Sequence, residues 1–205
     1  MFFSQLFLMN RADLRSLFAP SPFSPSMLLV IIAPAVTMRL IAEERKSGTI
    51  ELISTMPIRK WEIVLGKFLA AYGLLAIAIA STLVYAITVA CIGTLDWGTV
   101  LSGYFGLLMF AGALVAIGLF CSSITQNQII AFILGFIICG ALYFVYWLQF
   151  FMPQGLAPVV EFISVSSHLE SLARGVIDTR NIIYYFSLMA GALFLATRVM
   201  SRQRS

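Results

Sequence analysis

The feature that most limits what this chain can fold into is the length of its uncharged stretches. Four segments contain no Asp, Glu, Lys or Arg: residues 16–38, 68–95, 97–160 and 181–197. Overall, 60% of the 205 residues are hydrophobic and 11% are charged, against about 45–50% and about 25% in soluble domains. Too few polar residues remain to cover a surface that faces water, so the sequence predicts an integral membrane protein.

The uncharged stretches are long enough to cross a bilayer as helices. About 20 apolar residues span the hydrocarbon core as a helix, and the alternation expected of a membrane β-barrel is absent. The sequence therefore predicts an all-α, polytopic transmembrane helix bundle that forms a single domain over residues 1–205. Its five spans are expected at about 24–40, 63–92, 100–121, 128–149 and 182–199.

The basic residues divide unequally between the two sides of this predicted bundle. One side collects Arg39, Arg45, Lys46, Arg59, Lys60, Lys67, Arg198, Arg202 and Arg204, whereas the other has Arg11, Arg15, Arg174 and Arg180. Because cytoplasmic loops carry the excess of Lys and Arg, we expect residues 41–62, the turn at 122–128 and the C-terminus in the cytoplasm. Residues 1–23, 93–98 and 150–181 then lie outside.

The outside segment at 150–181 is expected to form a surface-lying, partly helical cap rather than a sixth span. Two prolines lie near its start, and four of its later charged residues would each cost about 2.5–3.5 kcal/mol at mid-membrane. These four are Glu161, Glu170, Arg174 and Asp178. Five apolar residues recur at three- and four-residue steps, which favours one apolar helix face. They are Phe162, Val165, Leu169, Leu172 and Val176.

The chain lacks the phosphate-binding loop of an ATP-hydrolysing protein. Its one Gly-Lys pair, Gly66-Lys67, has Trp61 where the first glycine of that loop should stand and Phe68 in place of the hydroxyl residue. No expected span carries an acidic or basic residue deep in its core, where ion-coupled pumps place their relay groups. We therefore expect no energy source within the chain.

Candidate catalytic and metal-binding residues are few. The single histidine, His168, falls in the outside segment, where we expect it to be solvated or interfacial. Cys91, Cys121 and Cys139 lack the spacing of metal ligands and are interpreted as buried small hydrophobic residues. The sequence thus predicts no catalytic, cofactor-binding or metal site.

The densely charged loop between the first two expected spans is the segment that can meet water and a partner. The run Glu43-Glu44-Arg45-Lys46 continues the first helix, Ser47-Gly48 interrupts it, and residues 49–56 suit a short amphipathic helix that Pro57 ends. Two helical turns are too short to be stable alone in water. This helix needs a surface, which is either the membrane headgroups or a soluble partner.

Several motifs in this loop and in later spans form a specific combination. They are Glu43-Glu44-Arg45-Lys46-Ser47-Gly48-Thr49-Ile50-Glu51-Leu52, Met56-Pro57-Ile58, and the runs at 61–68, 96–98, 103–107, 116–123 and 125–135. Over roughly residues 1–145, the chain closely resembles the permease subunits of ABC-2 type transporters. Among these it is most similar to the branch of gliding-motility-associated permeases.

The resemblance implies a six-helix permease half in the bacterial inner membrane that pairs with a second permease subunit, identical or different. It also implies a separate cytosolic ABC ATP-binding subunit, which would hold ATP and Mg, so this chain would be no enzyme itself and would bind no nucleic acid. In such families the cytoplasmic coupling segment, here residues 41–62, packs into a groove of the ATPase through residues 43–57. The residues implied to couple are Glu43, Glu44, Arg45, Gly48, Thr49, Ile50 and Glu51.

Two departures from the family accompany this match. The family's first helix would precede Met1, so we expect a longer gene product with one more N-terminal span. Arg59 stands where a small hydroxyl or acidic N-cap is expected, so that helix must be capped by another group. Two other functions stay open: a membrane scaffold that recruits a partner without transport, and an intramembrane hydrolase that would need His168 close to a nucleophile such as Ser166.

Overall fold

The structure is a computed structural model, and it describes residues 18, 20, 24–49, 59–92, 96–148, 160, 162 and 164–202. All secondary structure in these ranges is helical. The helices are α1 (Pro25–Thr37), α2 (Ala42–Lys46), α3 (Lys60–Ser81), α4 (Leu83–Ile92), α5 (Trp97–Ile124), α6 (Gln128–Leu148), α7 (Val165–Ala173) and α8 (Thr179–Arg202).

Five helical segments are long and apolar enough to cross a membrane. They are Pro25–Lys46, Lys60–Cys91, Trp97–Ile124, Gln128–Trp147 and Thr179–Ser201. The predicted all-α, five-span bundle is therefore confirmed. The bounds differ most at the end of the first segment, which runs to Lys46 rather than to residue 40. Helix α5 also begins earlier than expected, at Trp97, where Asp96 caps it by accepting a hydrogen bond from the Gly98 amide at 3.1 Å. The second segment is also interrupted at Thr82, between α3 and α4.

Helix α5 forms the centre of the bundle. It packs against α1, α3, α6, α7 and α8, and most of its length is buried. Small residues allow these close contacts: a Cβ on Gly112 would lie 2.8 Å from the Met189 sulfur. By contrast, Gly66 and Gly191 have open space beside them, so these small residues do not pack within the described part of the chain.

The two ends of the bundle differ in charge. One end carries α2, the start of α3, the turn at 125–127 and the last residues of α8, and we call it the basic end. Its parts are joined by hydrogen bonds between distant segments, such as that from Lys60 Nζ to the Met200 carbonyl at 2.8 Å. The opposite end, which we call the far end, carries α7 and the first turns of α1, α5 and α8.

Helix α7 is inserted among the long helices at the far end. Val165, Leu169 and Leu172 are fully buried, whereas Phe162 is 49% and Val176 58% exposed. The predicted apolar face is therefore right at its three central positions and wrong at its two ends. Its nine residues are too few to span a bilayer, and its seven buried residues make it part of the core.

The prediction that His168 is solvated or interfacial is wrong. This side chain is 6% exposed, its Nδ1 lies 2.8 Å from Asn181 Oδ1, and its ring stacks on Tyr184 at 4.1 Å between centroids. Both partners come from the first turns of α8, a contact that sequence spacing does not reveal. Ser166 donates its hydroxyl to the Tyr143 carbonyl at 3.1 Å rather than to His168, so the two do not form the pair that a hydrolase would need.

The cysteines behave largely as expected. Cys121 and Cys139 are buried, while Cys91 is exposed. Among the described residues no group of His, Cys, Asp and Glu is arranged to hold a metal ion.

Candidate functional site

The first membrane-spanning segment is broken between α1 and α2, at residues 38–41. An uninterrupted helix would join the Ala42 amide to the Met38 carbonyl. Instead, the Ser122 hydroxyl lies between them: it accepts from the amides of Ala42 at 3.1 Å and Ile41 at 3.2 Å, and it donates to Met38 at 3.0 Å. A side chain inserted into a helical ladder in this way causes a kink, so α5 fixes the break through one buried serine.

Lys67 binds the same break from the other side. Its ammonium lies 2.5 Å from the Leu40 carbonyl and 2.5 Å from Glu44 Oε1. The side chains are 16% exposed for Lys67 and 30% for Glu44, so the ion pair is largely shielded from solvent. The other carboxylate oxygen of Glu44 is buried without a hydrogen-bond partner among the described residues. Lys67 thus joins α3 to both the break and α2.

Arg45 ties α2 to the end of α5. Its guanidinium donates to the Ser123 carbonyl, next to the serine that holds the break. Glu44 and Arg45 therefore face into the bundle, with Ala42 fully buried behind them. The remaining residues of this turn are exposed: Glu43, Lys46, Ser47, Gly48 and Thr49. Helix α2 accordingly has one face tied to α3 and α5 and one face open.

The chain turns sharply after α2. Gly48 has a φ of +74°, a left-handed conformation that other residues adopt at a cost. The hydroxyls of Ser47 and Thr49 both donate to the Glu44 carbonyl, at 3.3 and 3.2 Å. The predicted interruption at Ser47-Gly48 is therefore a hydrogen-bonded helix end.

The sequence-derived coupling residues are divided by this geometry. Glu44 and Arg45 make internal contacts, whereas Glu43, Gly48 and Thr49 are exposed beside them. Ile50, Glu51 and the predicted helix over 49–56 lie outside the described residues, apart from Thr49. Sequence reasoning missed Lys67 and Ser122, which are 23 and 80 positions from their partners on α2, and no local pattern marks such long-range pairs.

The start of α3 is capped by a group other than the Arg59 side chain, as the sequence implied. Glu62 reaches back and accepts from the Arg59 amide at 3.2 Å. An acidic residue in the first turn also interacts favourably with the positive end of the helix dipole.

Two cavities lie elsewhere in the bundle. An apolar cleft of about 650 Å³ lies between α1 and the α3–α4 junction, with Leu28, Leu29, Ile32 and Tyr85 among its lining residues. A smaller cavity of about 270 Å³ at the far end is lined by polar groups that include His168, Asp178, Arg180 and Asn181.

Comparison with known proteins assigns the family. A family model described as ABC-2 family transporter protein matches residues 9–200. This chain belongs to the ABC-2 transporter family. The family and the curated relatives support a membrane permease component of an ABC transporter.

Two curated relatives resemble part of this ABC-2 permease. Both bear the name "Probable multidrug ABC transporter permease YbhR", one from Escherichia coli strain K12 and one from Escherichia coli O157:H7. Each is 31% identical over 108 residues, which is 53% of this chain and 29% of the relative. The matched region thus spans less than a third of the relatives' length. No solved structure matches this chain.

Proposed function

We propose that this permease couples to a separate cytosolic ABC ATP-binding subunit through residues 43–57, with α2 as the point where force enters the bundle. In this proposal the basic end and the C-terminus face the cytoplasm, and the protein lies in the bacterial inner membrane beside a second permease subunit, identical or different. ATP and Mg are bound by the partner. Closure of the ATPase would push α2 and tilt the helices tied to it.

The two-faced arrangement of α2 supports this proposal most directly. A docking element must present one face to its partner and transmit load through the other. Glu43, Lys46 and Thr49 are exposed at the basic end, while Glu44 and Arg45 bind α3 and α5. The excess of basic residues at this end supports a cytoplasmic position, and the similarity to gliding-motility-associated permeases remains a prediction.

The proposal is tested by purifying the permease with its native partners and measuring ATP hydrolysis. We expect an ABC ATP-binding subunit to co-purify and to hydrolyse ATP faster with the permease than without it. Gly48→Ala should reduce this stimulation, because the left-handed turn that orients the exposed face is strained by a side chain. If the subunit co-purifies but hydrolyses ATP at the same rate with and without the permease, the scaffold alternative is favoured.

Gly175 offers a matched control for backbone strain. It has a φ of +87° and lies at the far end, after α7. Gly175→Ala should impose at least as much local strain, about 1 kcal/mol or more, because its Cβ would also lie 3.0 Å from the Thr99 side chain. It should nevertheless leave the stimulated ATPase rate unchanged. Equal losses in both variants would show that Gly48 acts through general stability, against its role in coupling.

The relatives' name and the apolar cleft together support an apolar small molecule as the transported substrate. Such a compound could enter the cleft sideways from lipid, because the lining is almost entirely apolar. Ile32→Trp should fill the cleft and reduce efflux of lipophilic compounds from cells. Ile31 is similarly exposed, at 40% against 42%, and does not line the cleft, so Ile31→Trp should leave efflux unchanged. Equal efflux in both variants would contradict the proposal that the substrate passes through the cleft.

A further inference from the structure

We propose that Lys67 is a positioning residue that sets the angle of α2 against α1 and α3 and thereby carries movement of α2 into the second membrane-spanning segment. The inference rests on the proposed coupling to an ATP-binding subunit. It assigns the transmission to one ammonium group that binds two acceptors, one in the broken turn and one in α2.

The geometry places this ammonium where it controls both parts of the break. Leu40 lies in the broken turn and Glu44 lies in α2, and each has an oxygen 2.5 Å from Lys67 Nζ. A lysine presents three donors, so one side chain serves both acceptors at once. When Lys67 moves with α3, the carbonyl of the break and the carboxylate of α2 must move with it.

The electrostatics make this tie hard to replace. Glu44 is an acidic residue whose second oxygen is buried and has no hydrogen-bond partner among the described residues. Lys67 supplies the ion pair of this carboxylate within the described part of the chain. Breaking a shielded ion pair by removing one partner leaves an uncompensated charge. Without Lys67, α2 is expected to turn its carboxylate toward water and change its angle.

The break supplies the freedom that makes positioning necessary. Because the Met38–Ala42 link of the helix is replaced by the Ser122 hydroxyl, α2 does not continue α1 as a rigid rod. Ser122 and Arg45 attach α2 to α5, whereas Lys67 is its side-chain tie to α3 in the described structure. Loss of Lys67 should therefore uncouple α3 while α2 stays attached to α5.

The experiment compares Lys67→Met with Lys67→Arg and Lys60→Met in the complex with the co-purifying ATP-binding subunit. Lys60 is a matched control, since it lies on the same helix and also donates to a backbone carbonyl, that of Met200. Affinity for the ATP-binding subunit and permease-stimulated ATP hydrolysis are measured separately. We expect Lys67→Met to keep the affinity within about twofold and to lose about tenfold in stimulated hydrolysis, the size of a typical coupling between sites.

Lys67→Arg should retain most of the stimulation, because a guanidinium also offers several donors to two oxygens. Lys60→Met should match the wild type, because Lys60 lies outside the docking residues 43–57 and its bond is to α8 rather than to α2. The double variant Lys67→Met with Glu44→Gln should be no worse than Lys67→Met alone, since both changes remove one interaction. A Lys67→Met variant that behaves like Lys60→Met, or one that loses affinity and stimulation in parallel, overturns the proposal.

Hydrogen exchange on the permease alone separates this proposal from the proposed function. In lipid nanodiscs, amides of residues 38–46 should exchange about tenfold faster in Lys67→Met than in Lys60→Met. If the wild type does not stimulate an ATP-binding subunit but the two variants differ in exchange as expected, the proposed coupling function is contradicted and the positioning role of Lys67 is supported. If exchange is equal in the two variants, the positioning role of Lys67 is contradicted, whatever the ATPase measurement shows.

Discussion

At the scale of single residues, Ser122 tests whether a side chain really holds the broken helix. Ser122→Ala removes the acceptor for two amides and the donor to one carbonyl, and a buried polar group left unpaired costs about 1–3 kcal/mol. Exchange of the Ile41 and Ala42 amides should therefore accelerate by about fivefold or more. Hydrogen exchange of the permease in nanodiscs measures the exchange rates of these two amides.

Ser123 provides the control for that variant. It is also fully buried, but its hydroxyl donates to the Phe120 carbonyl of its own helix at 2.7 Å. Ser123→Ala should therefore leave exchange at Ile41 and Ala42 near the wild-type rate. Equal acceleration in the two variants would contradict the bridging role of Ser122.

How much of the site the sequence can predict depends on the distance between partners. The density of charge at 43–46 and the glycine at 48 are local signals, and they identify the segment that presents an exposed face. The inward direction of Glu44 and Arg45 depends on Lys67 and on the Ser123 carbonyl, which lie on other helices. One sequence contains no signal for such pairs, and the burial of His168 by α8 was missed for the same reason.

At the scale of helices, the crossing of α1 and α5 depends on Gly118. A Cβ at this position would lie 2.1 Å from Thr37 Oγ1 and 3.5 Å from the Pro34 Cα, so Gly118→Ala forces the two helices apart. Overpacking of this kind costs about 1–3 kcal/mol. The variant should lower the thermal unfolding midpoint in detergent micelles.

Gly191 on α8 is the matched control, because nothing lies within 4 Å of a Cβ built there. Gly191→Ala should leave the unfolding midpoint unchanged or raise it slightly, since alanine favours helix over glycine. A midpoint for Gly118→Ala equal to that of Gly191→Ala would contradict the close crossing.

Helices themselves were largely predictable, because long uncharged runs have few alternatives in a membrane. Their interruptions were less so. The break at 38–41 depends on Ser122 of another helix, and the interruption at Thr82 accompanies a bond from the Tyr104 hydroxyl to the Thr82 carbonyl at 3.0 Å. Neither signal is present in the residues of the interrupted helix alone.

At the scale of the whole molecule, we expect the basic end to face the cytoplasm. Thr49→Cys and Ser201→Cys lie at the basic end, and Val176→Cys lies at the far end; all three positions are exposed. In intact cells and with the exposed Cys91 replaced by serine, a membrane-impermeant thiol reagent should label only Val176→Cys. Labelling in the reverse pattern would contradict the orientation.

Site-specific photo-crosslinking can show whether α2 and the turn after it form the docking face for an ABC ATP-binding subunit. A photoreactive amino acid is placed at Lys46 or Thr49 on the exposed face, and at Val176 of the far end as the control. We expect the two basic-end positions each to capture the ATP-binding subunit in membranes, and Val176 not to capture it. Capture from Val176, or from none of the three positions while the subunit is bound, would contradict it.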